Sequence, residues 1–345
     1  MAENKNRQQP LKIVNCAELA APGWTFLRDK IDQPKLSWCF YSAEPVNWIE
    51  RLITRPRLSR YRACMAAAFR SRSSDVIVTH LPRASWWTAY FARLFGSKAK
   101  HLAFSFNFTE LPTGRSRRWM SAAFQQIDRF VVYSNAEKRL YADYFGINPS
   151  RIDMLPWAME TPAVEPDHPI VSGDYICAVG GEGRDYETLI AASRELPDIP
   201  LVIVARPRNV EGLALPEHVS PYTNLPTAQF WNVVKHSRFV VIPLLDDKTN
   251  CGHISIVGSM QLGKPLVTTR SAGTEDYIHP DRDALVTEAG SREQLKEAIS
   301  RLWGDNALCQ KMGTEAVRVT DENNREARWV DYLKNYFSTV SNAGK

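Results

Sequence analysis

The sequence lacks the features of a membrane-spanning, secreted or zinc-binding protein. No apolar run reaches the ~18 residues that a transmembrane helix needs, and the N-terminus has no apolar core of a signal peptide. The six cysteines lie far apart with no CxxC pair, which indicates reduced thiols rather than a disulfide framework or a zinc site. With 44% apolar and 23% charged residues, we expect a soluble cytoplasmic protein.

Acidic residues are scarce in one segment. Between Arg51 and Arg118, fourteen lysines and arginines accompany only Asp75 and Glu110, a local charge of +12 in a chain of +5. Aromatic residues are interleaved with this charge, among them Trp86, Trp87 and Trp119. The pattern is compatible with a solvated basic face over a packed aromatic stripe, or with a surface that rests on anionic lipid headgroups. Nucleic acid is disfavoured because the sequence has no recognised nucleic-acid-binding module.

Short β-rich runs alternate with segments of helical spacing along the chain, which is typical of parallel sheets covered by helices on both faces. The sequence therefore predicts an α/β protein of two Rossmann-like doubly wound domains. The predicted strands are 11–17, 36–42, 75–81, 101–108, 128–134, 151–157, 175–180, 199–205, 238–245, 265–269 and 284–288.

The domain boundaries follow from a break in this alternation. The Pro- and acid-rich stretch 161–170 is predicted to be a linker. It separates an N-terminal domain at 11–160, preceded by a disordered polar tail at 1–10, from a C-terminal domain at 171–322. Residues 323–345 are expected to form a C-terminal helix, and one alternative is that this helix crosses back to the N-terminal domain.

Residues 250–267, "NCGHISIVGSMQLGKPLV", place small residues where a helix should begin, directly after an apolar strand. A helix start has unpaired N–H groups and a partial positive charge, so it attracts phosphate if nearby side chains are small. Gly252 permits a close approach and Ser255 offers a hydroxyl, while Gly263 and Pro265 end the helix. The loop therefore predicts a phosphate site; the alternative is a tight loop whose small residues serve packing.

A second glycine turn, "AVGGEGRDYETLI" (178–190), follows the first strand of the same domain. Gly180, Gly181 and Gly183 let the backbone approach a ligand, and Arg184 supplies a cation with bidentate donors. Two such turns at the ends of adjacent strands would face each other, and a diphosphate is the natural ligand for both.

The second half resembles the nucleotide-sugar-binding domain of GT-B glycosyltransferases (group 1, family-4-like) through "AVGGEGRDYETLIAA", "GHISIVGSMQLGKPLVTT" and "SAGTEDYI". The first half is similar more loosely, through "DVIVTHLPRAS" and "VVYSNAEKRLYADYFGI". The resemblance implies two domains facing a cleft, a UDP- or GDP-sugar donor, and a lipid-linked or glycan acceptor bound by the N-terminal domain. It implies no cofactor, and the sequence requires no metal ion.

The sequence departs from this family where many members carry two glutamates eight positions apart, because Asn250 and Gly258 occupy these positions. Other groups are expected to bind the donor in their place. The predicted donor and diphosphate site therefore comprises Gly180, Gly181, Gly183, Arg184, Arg206, Gly252, His253, Ile254, Ser255, Glu275 and Asp276. Tyr222, in the predicted loop "SPYTN", is the candidate for a nucleobase contact.

Two residues of the first domain are candidates for catalysis. An inverting transferase needs a base on the acceptor hydroxyl, and the candidates are His80, at the end of a strand, and Glu110, in the loop after the next strand. The structural alternatives are a packed histidine and a salt-bridge partner. Two other functions stay open: a sugar-nucleotide epimerase of the same architecture, and a non-catalytic scaffold or binding subunit. We expect a peripheral protein on the inner face of the cell membrane, acting in cell-surface polysaccharide synthesis.

Overall fold

The computed structural model describes residues 10–18, 26–31, 35–53, 55–248 and 250–343. The chain forms two compact units: unit 1 comprises Met1–Leu155 and Trp329–Lys345, and unit 2 comprises Pro156–Arg328. Of the predicted disordered tail, only Pro10 lies within the described residues.

Unit 1 contains a six-stranded sheet in which every strand pair is parallel. Its strand order is β2-β1-β3-β4-β5-β6, which is the doubly wound order with its switch point between β1 and β3. The strands are β1 (Leu11–Ala17), β2 (Leu36–Ser42), β3 (Val76–His80), β4 (Lys100–Phe104), β5 (Arg129–Val132) and β6 (Ile152–Met154).

Seven helices belong to the described part of unit 1: α1 (Phe26–Lys30), α2 (Trp48–Leu52), α3 (Leu58–Arg70), α4 (Pro82–Leu94), α5 (Gly114–Phe124), α6 (Asn135–Phe145) and α13 (Ala327–Ala343), whose first two residues lie in unit 2. Helix α13 packs on the sheet through Trp329, whose ring lies 5.4 Å from that of Phe104 and 6.0 Å from that of Tyr133. The Tyr332 hydroxyl also donates to Asp153 at 2.7 Å. The end of the chain is therefore an integral part of unit 1.

Unit 2 has a second parallel six-stranded sheet, of order β12-β11-β10-β7-β8-β9. Counted from β7, this is the dinucleotide-fold order, with its switch point between β7 and β10. The strands are β7 (Ile176–Val179), β8 (Leu201–Ala205), β9 (Val219–Thr223), β10 (Val240–Ile242), β11 (Leu266–Thr269) and β12 (Ala284–Thr287).

The helices of unit 2 are α7 (Tyr186–Ser193), α8 (Pro207–Val210), α9 (Thr227–His236), α10 (His253–Gln261), α11 (Arg292–Gly304) and α12 (Asn306–Asn323). Alternate residues of the strands enter two separate apolar clusters, one packed with α9 and α10 and the other with α7 and α11. Both faces of the sheet are therefore buried, as expected for a parallel sheet. The fold class predicted from the sequence, two Rossmann-like α/β domains, is confirmed.

The predicted linker, 161–170, is packed within unit 2. Val164 and Ile170 lie against the apolar cluster of α9 and α10, and the Asn232 amide donates to the carbonyls of Pro166 and His168. All eleven predicted strands are present, but strand β9 and the short helices α1, α2 and α8 were not predicted. None of the helices in the described part of the chain combines the length and apolar character needed to cross a bilayer.

Candidate functional site

Most of the predicted donor residues lie at one edge of the unit 2 sheet, where its parallel strands end. Glycines 180, 181 and 183 and Arg184 follow β7, Arg206 follows β8, and Gly252 to Ser255 form the start of α10 after β10. Glu275 and Asp276 follow β11, in an exposed turn. Because β7 and β10 are neighbours in the sheet, the two glycine turns sit on either side of the switch point, where ligands of open α/β sheets bind.

Backbone hydrogen bonds tie the first glycine turn to the chain that leaves β10 towards the second turn. The N–H of Leu245 donates to Gly183 O at 3.1 Å, and the N–H of Asp185 donates to Pro243 O at 3.0 Å. An antiparallel bridge between Arg184 and Leu244 completes the contact. The Cys251 thiol also donates to Glu182 O at 3.0 Å, so the two turns meet at the switch point. Between Pro243 and Ser255, only Thr249 lies outside the described residues.

The guanidinium of Arg184 lies between the two turns and is only 8% exposed. It donates to Val179 O and Glu182 O at 2.9 Å each, and to Ser255 Oγ at 3.3 Å. All of these acceptors are neutral, and none of the described carboxylates forms an ion pair with this side chain. A buried cation without a carboxylate partner is costly unless an anion arrives, so this charge favours an anionic ligand.

Two of the glycines lie beside the Arg184 guanidinium, and their backbone conformation favours glycine. A Cβ on Gly180 would lie 2.5 Å from Arg184 Nη2, and one on Gly252 would lie 3.4 Å from both Nη atoms. Both glycines also have positive φ angles, of 108° and 100°, which side chains rarely adopt. Backbone conformation therefore explains both glycines, and at Gly180 the nearby guanidinium adds a steric reason.

The N-terminus of α10 lies at this edge of the sheet. Gly252 is the N-cap, and none of the described side chains caps the helix start. The amides of the first turn, from His253 to Ser255, have no acceptor within the helix, and the helix dipole adds partial positive charge. Ile254 is half exposed at 50%, whereas Ser255 is buried. The helix start and Arg184 together supply positive potential at one place.

His253 holds the helix start against the turn after β11. Its Nε2 donates to Gly273 O at 2.8 Å, and its ring stacks on that of Tyr277 with centroids 4.7 Å apart. Burial lowers the pKa of His253 to about 4, so the ring is neutral at physiological pH. The structure therefore gives His253 a positioning role, which brings the turn carrying Asp276 close to α10.

Arg206 interacts with an acid of the first glycine turn. Its guanidinium and that of Arg208 both pair with Glu182, the latter at 2.6 Å. Asn209 reaches the same turn, with its amide donating to Gly181 O at 2.7 Å. Arg206 is exposed and lies beside the turn, but in this structure its charge is balanced by Glu182.

Two amide oxygens at this edge are buried without a hydrogen-bond partner among the described residues, those of Asn209 and Asn250. An unsatisfied buried acceptor costs about 1–3 kcal/mol, so it indicates a site where a ligand hydroxyl or amide completes the bond. In the sequence, Asn250 is noted only because it replaces a glutamate of the family pattern. Only the structure shows that its side-chain oxygen has no hydrogen-bond partner among the described residues.

The second missing glutamate has a steric explanation. A Cβ on Gly258 would lie 2.2 Å from Cη2 of Trp231, whose indole is only 4% exposed. The indole of Trp231, in helix α9, therefore fills the space that the Cβ of a side chain at position 258 would occupy. No carboxylate fits there without moving Trp231.

Tyr222 lies in strand β9, so the prediction that it belongs to a loop was wrong. The strand pairs with β8 at the sheet edge, with Tyr222 opposite Val204, and the ring packs partly against the apolar cluster of α9 and α10. The segment has a proline and polar neighbours, which mask its strand character in the sequence.

In unit 1, His80 ends β3 beside the switch point, and its Nε2 contacts Asn15 Oδ1 of β1 at 2.8 Å. The ring is fully buried, and burial lowers its pKa to about 3. His80 is therefore a weak proton acceptor near neutral pH. Glu110 is exposed in the loop between β4 and α5.

The sequence reasoning missed Glu137, a buried carboxyl group near the carboxyl ends of β4 and β5. It accepts hydrogen bonds from the Tyr133 N–H at 2.8 Å, from the Tyr141 hydroxyl at 3.1 Å and from the Asn107 amide. Burial raises its pKa to about 7. The sequence feature that marks this residue is the capping-box pattern "SNAE" at 134–137, which predicts a helix start with Glu137 at its third position. In the structure the Ser134 hydroxyl accepts a hydrogen bond from the Glu137 N–H.

Comparison with known proteins gave two family-model matches: Glycosyltransferase Family 4 over residues 36–161 and Glycosyl transferases group 1 over residues 184–305. A search of curated proteins found no match. The fold is similar to a glycosyltransferase from Rickettsia africae (13% identity, TM-score 0.72, covering 96% of this chain and 98% of that one). It is also similar to HepE from Anabaena in complex with UDP and glucose (12% identity, TM-score 0.72, covering 95% of this chain and 99% of that one). A third similar structure is sucrose-phosphate synthase from Thermosynechococcus elongatus (14% identity, TM-score 0.70, covering 96% of this chain and 100% of that one).

Proposed function

Because the chain belongs to the GT-B glycosyltransferases, we propose that it transfers a sugar from a nucleoside diphosphate sugar to a lipid-linked or polysaccharide acceptor. The observation that carries the donor assignment is Arg184, a buried cation without a carboxylate partner among the described residues, placed between two glycine turns at the start of α10. A diphosphate is the ligand whose charge and size suit this arrangement.

Glycosyl transfer requires the leaving diphosphate to be stabilised as the glycosidic bond breaks and positive charge develops on the sugar. We assign this task to Arg184 and to the first-turn amides of α10, which can donate to the phosphate oxygens. Gly180, Gly181, Gly183 and Gly252 leave room for that approach. In this proposal charge stabilisation comes from the protein, without a cofactor or a metal ion.

The sugar and the nucleoside are bound by groups around this centre. The orphaned Asn250 oxygen is suited to accept a sugar hydroxyl, and the exposed carboxylates of Glu275 and Asp276 are suited to bind further hydroxyls in place of the missing glutamates. Arg206 binds phosphate if Glu182 releases it, and Tyr222 contacts the nucleobase. A UDP-sugar is the preferred donor because HepE, a structural neighbour, is solved with UDP and with UDP-glucose; a GDP-sugar is the alternative.

The direct test is to titrate UDP and GDP into the protein by calorimetry. Arg184→Ala should weaken binding roughly 10- to 100-fold, because a hydrogen bond to a charged group contributes about 1.5–3 kcal/mol. Arg184→Lys should recover part of the loss, since lysine keeps the charge without the bidentate donors. Arg194→Ala is the control, because Arg194 follows α7 at the other end of that helix and donates to Ala214 O.

Nucleotide binding in this titration and turnover in a separate assay together decide between the three functions. The donor assignment fails if neither nucleotide binds the wild type at millimolar concentration. Release of nucleoside diphosphate only when acceptor is present supports the transferase. Turnover of the donor alone would indicate an epimerase instead, and binding without any turnover across a donor and acceptor screen would indicate a scaffold.

The acceptor and the location are further parts of the proposal. A lipid-linked acceptor used in cell-surface glycan synthesis would place the enzyme at the inner face of the cell membrane. The support is the excess of fourteen lysines and arginines over two acids between Arg51 and Arg118, since each basic residue near an anionic surface contributes on the order of 1 kcal/mol.

A further inference from the structure

Exposed apolar side chains are concentrated in and directly beside the most basic segment of the chain, residues 51–118. Of the twelve most exposed large hydrophobic residues among those described, ten lie between Val46 and Trp119. A folded protein rarely leaves so many large apolar groups together in water unless they meet a partner. The structure thus separates this segment from the rest of the surface by exposure as well as by charge.

Three helices of this segment each carry an exposed apolar pair at i, i+4 spacing, which places both side chains on one side of the helix. The pairs are Trp48 and Leu52 on α2 (72% and 73% exposed), Met65 and Phe69 on α3 (46% and 58%), and Tyr90 and Leu94 on α4 (51% and 66%). We call these six residues the apolar face.

Helices α3 and α4 pack against each other, and α2 is linked to α3 by a side-chain ion pair, so all three pairs belong to unit 1. Helices α3 and α4 are joined by ring contacts, with Phe69 and Phe95 5.7 Å apart and Tyr61 and Trp87 4.7 Å apart. Helix α2 is fixed to α3 by the ion pair between Glu50 and Arg62, at 2.8 Å. Ring contacts and this ion pair therefore connect the three helices that carry the apolar face.

The tryptophans highlighted by the sequence are not part of this face. Trp86 and Trp87 are half-buried, stack on each other with centroids 4.4 Å apart, and pack against the core. Tyr90 and Leu94 on the same helix point outward instead. Of the aromatic residues that the sequence analysis names in this segment, Trp119 is exposed at 64%, whereas Trp86 and Trp87 are not.

The charges around the apolar face are almost all positive. Its exposed cations are Arg51, Arg55, Arg70, Arg72, Arg83 and Arg93. Of the nearby acids, Glu50 is buried against Arg62 and the Val46 N–H, and Glu44 is half-buried. Beyond the ends of α3 and α4, a cavity of about 720 Å³ is lined by Arg72, by the further cations Lys12, Lys98, Lys100 and Arg129, and by the acids Asp75 and Asp128.

We propose that the apolar face is the bilayer-contacting surface of the enzyme, with Trp48 and Leu52 of α2 inserting among the lipids of an anionic phospholipid membrane. Exposed apolar groups surrounded by cations match the two attractions of such a membrane, its acyl interior and its negative headgroups. The inference rests on the proposed function only in that the acceptor is lipid-linked, and it can be tested without any donor.

The test is flotation of the full chain with phosphatidylcholine vesicles and with vesicles that contain phosphatidylglycerol, at low and high salt. The wild type should float with the anionic vesicles and much less at 1 M salt, where the Debye length falls to about 3 Å. Arg51→Glu/Arg55→Glu should weaken vesicle binding by at least about 30-fold, because each arginine contributes on the order of 1 kcal/mol and 1.4 kcal/mol is a factor of ten.

The insertion is tested by Trp48→Glu/Leu52→Glu, which should abolish flotation even at low salt, whereas Trp48→Phe/Leu52→Phe should retain it. Arg292→Glu/Lys311→Glu, at exposed positions of unit 2, is the charge-matched control and should float like the wild type. Calorimetry with UDP on every variant reports separately on the donor site. Loss of flotation with unchanged UDP binding supports the inference, and the donor assignment can fail without affecting it.

The inference is wrong if the wild type does not float with anionic vesicles, or if Trp48→Glu/Leu52→Glu floats as the wild type does. A wild type that ignores vesicles but forms a dimer, which the same double substitution dissociates, would also overturn it in favour of a second copy of the chain. Light scattering after size-exclusion chromatography measures that dimer.

Discussion

Gly258 and Trp231 provide a sharp test of the donor-site packing. Gly258 lies in the interior of α10, where alanine is ordinarily about 1 kcal/mol more stable than glycine. Here the new Cβ would lie 2.2, 2.7 and 2.8 Å from three atoms of the buried Trp231 indole. Overpacking of this kind costs about 1–3 kcal/mol. We expect Gly258→Ala to lower the free energy of unfolding by about 2 kcal/mol.

The effect of Gly258→Ala on the free energy of unfolding should change sign when the Trp231 indole is removed. Trp231→Leu alone should cost about 3 kcal/mol, because it leaves a cavity in the core of unit 2. In the Trp231→Leu protein, the Cβ that Gly258→Ala adds meets no ring. The substitution should therefore raise the free energy of unfolding by up to about 1 kcal/mol. The coupling between the two positions is then about 3 kcal/mol, at the upper end for residues in contact.

Urea unfolding of the four proteins of this cycle, followed by circular dichroism, measures the coupling. Trp231→Leu identifies the transition that belongs to unit 2 if the two units unfold separately. Gly304→Ala is the matched control, because a Cβ at Gly304 meets nothing within 4 Å. The reasoning is refuted if Gly258→Ala stabilises the wild type as much as it stabilises Trp231→Leu. A confirmed clash would mean that Gly258→Glu cannot restore the missing carboxylate.

Two further predictions concern buried polar groups. Burial raises the pKa of Glu137 from 4.5 to about 7, so its contribution to stability is complete below about pH 4.5 and is lost as the pH rises to about 7, a loss of about 3 kcal/mol. Glu137→Gln should remove this slope, and thermal unfolding at pH 5 and pH 8 measures it; an unchanged slope contradicts the assignment. Asn250→Ala removes an unsatisfied acceptor and should raise the free protein's unfolding free energy by about 1 kcal/mol. It should also raise the donor KM, and a fall in KM would rule out a sugar contact.

The glycine turns could be predicted because their cause is local. Gly180 and Gly252 have positive φ, and Gly263 ends α10 with φ of 72°, so the backbone itself requires these residues where the turns occur. The order of strands along the chain then placed both turns at the same sheet edge. No long-range information was needed for this part of the candidate site.

The burial of individual side chains could not be predicted in the same way. His80 and Glu110 were chosen as bases from their places after strands, but the structure buries His80 beside Asn15 and leaves Glu110 in water. The proton affinity of His80 depends on neighbours that are distant in sequence, because their packing desolvates the ring and lowers its pKa to about 3. Strand β9 was missed for another reason, since its pairing with β8 supplies the stability that its own residues lack.

The sequence by itself determined the two α/β units, the sites of the glycine turns and the basic character of residues 51–118, because apolar periodicity, backbone conformation and charge are properties of neighbouring residues. Only the tertiary structure decided which of those residues meet. It placed the Arg184 guanidinium between turns 67 or more residues apart, filled the space at Gly258 with Trp231, and left Trp48 and Leu52 in solvent while burying part of Trp86. Contacts between residues distant in the chain are set by packing, and packing decides where a charge or an apolar group is available to a ligand.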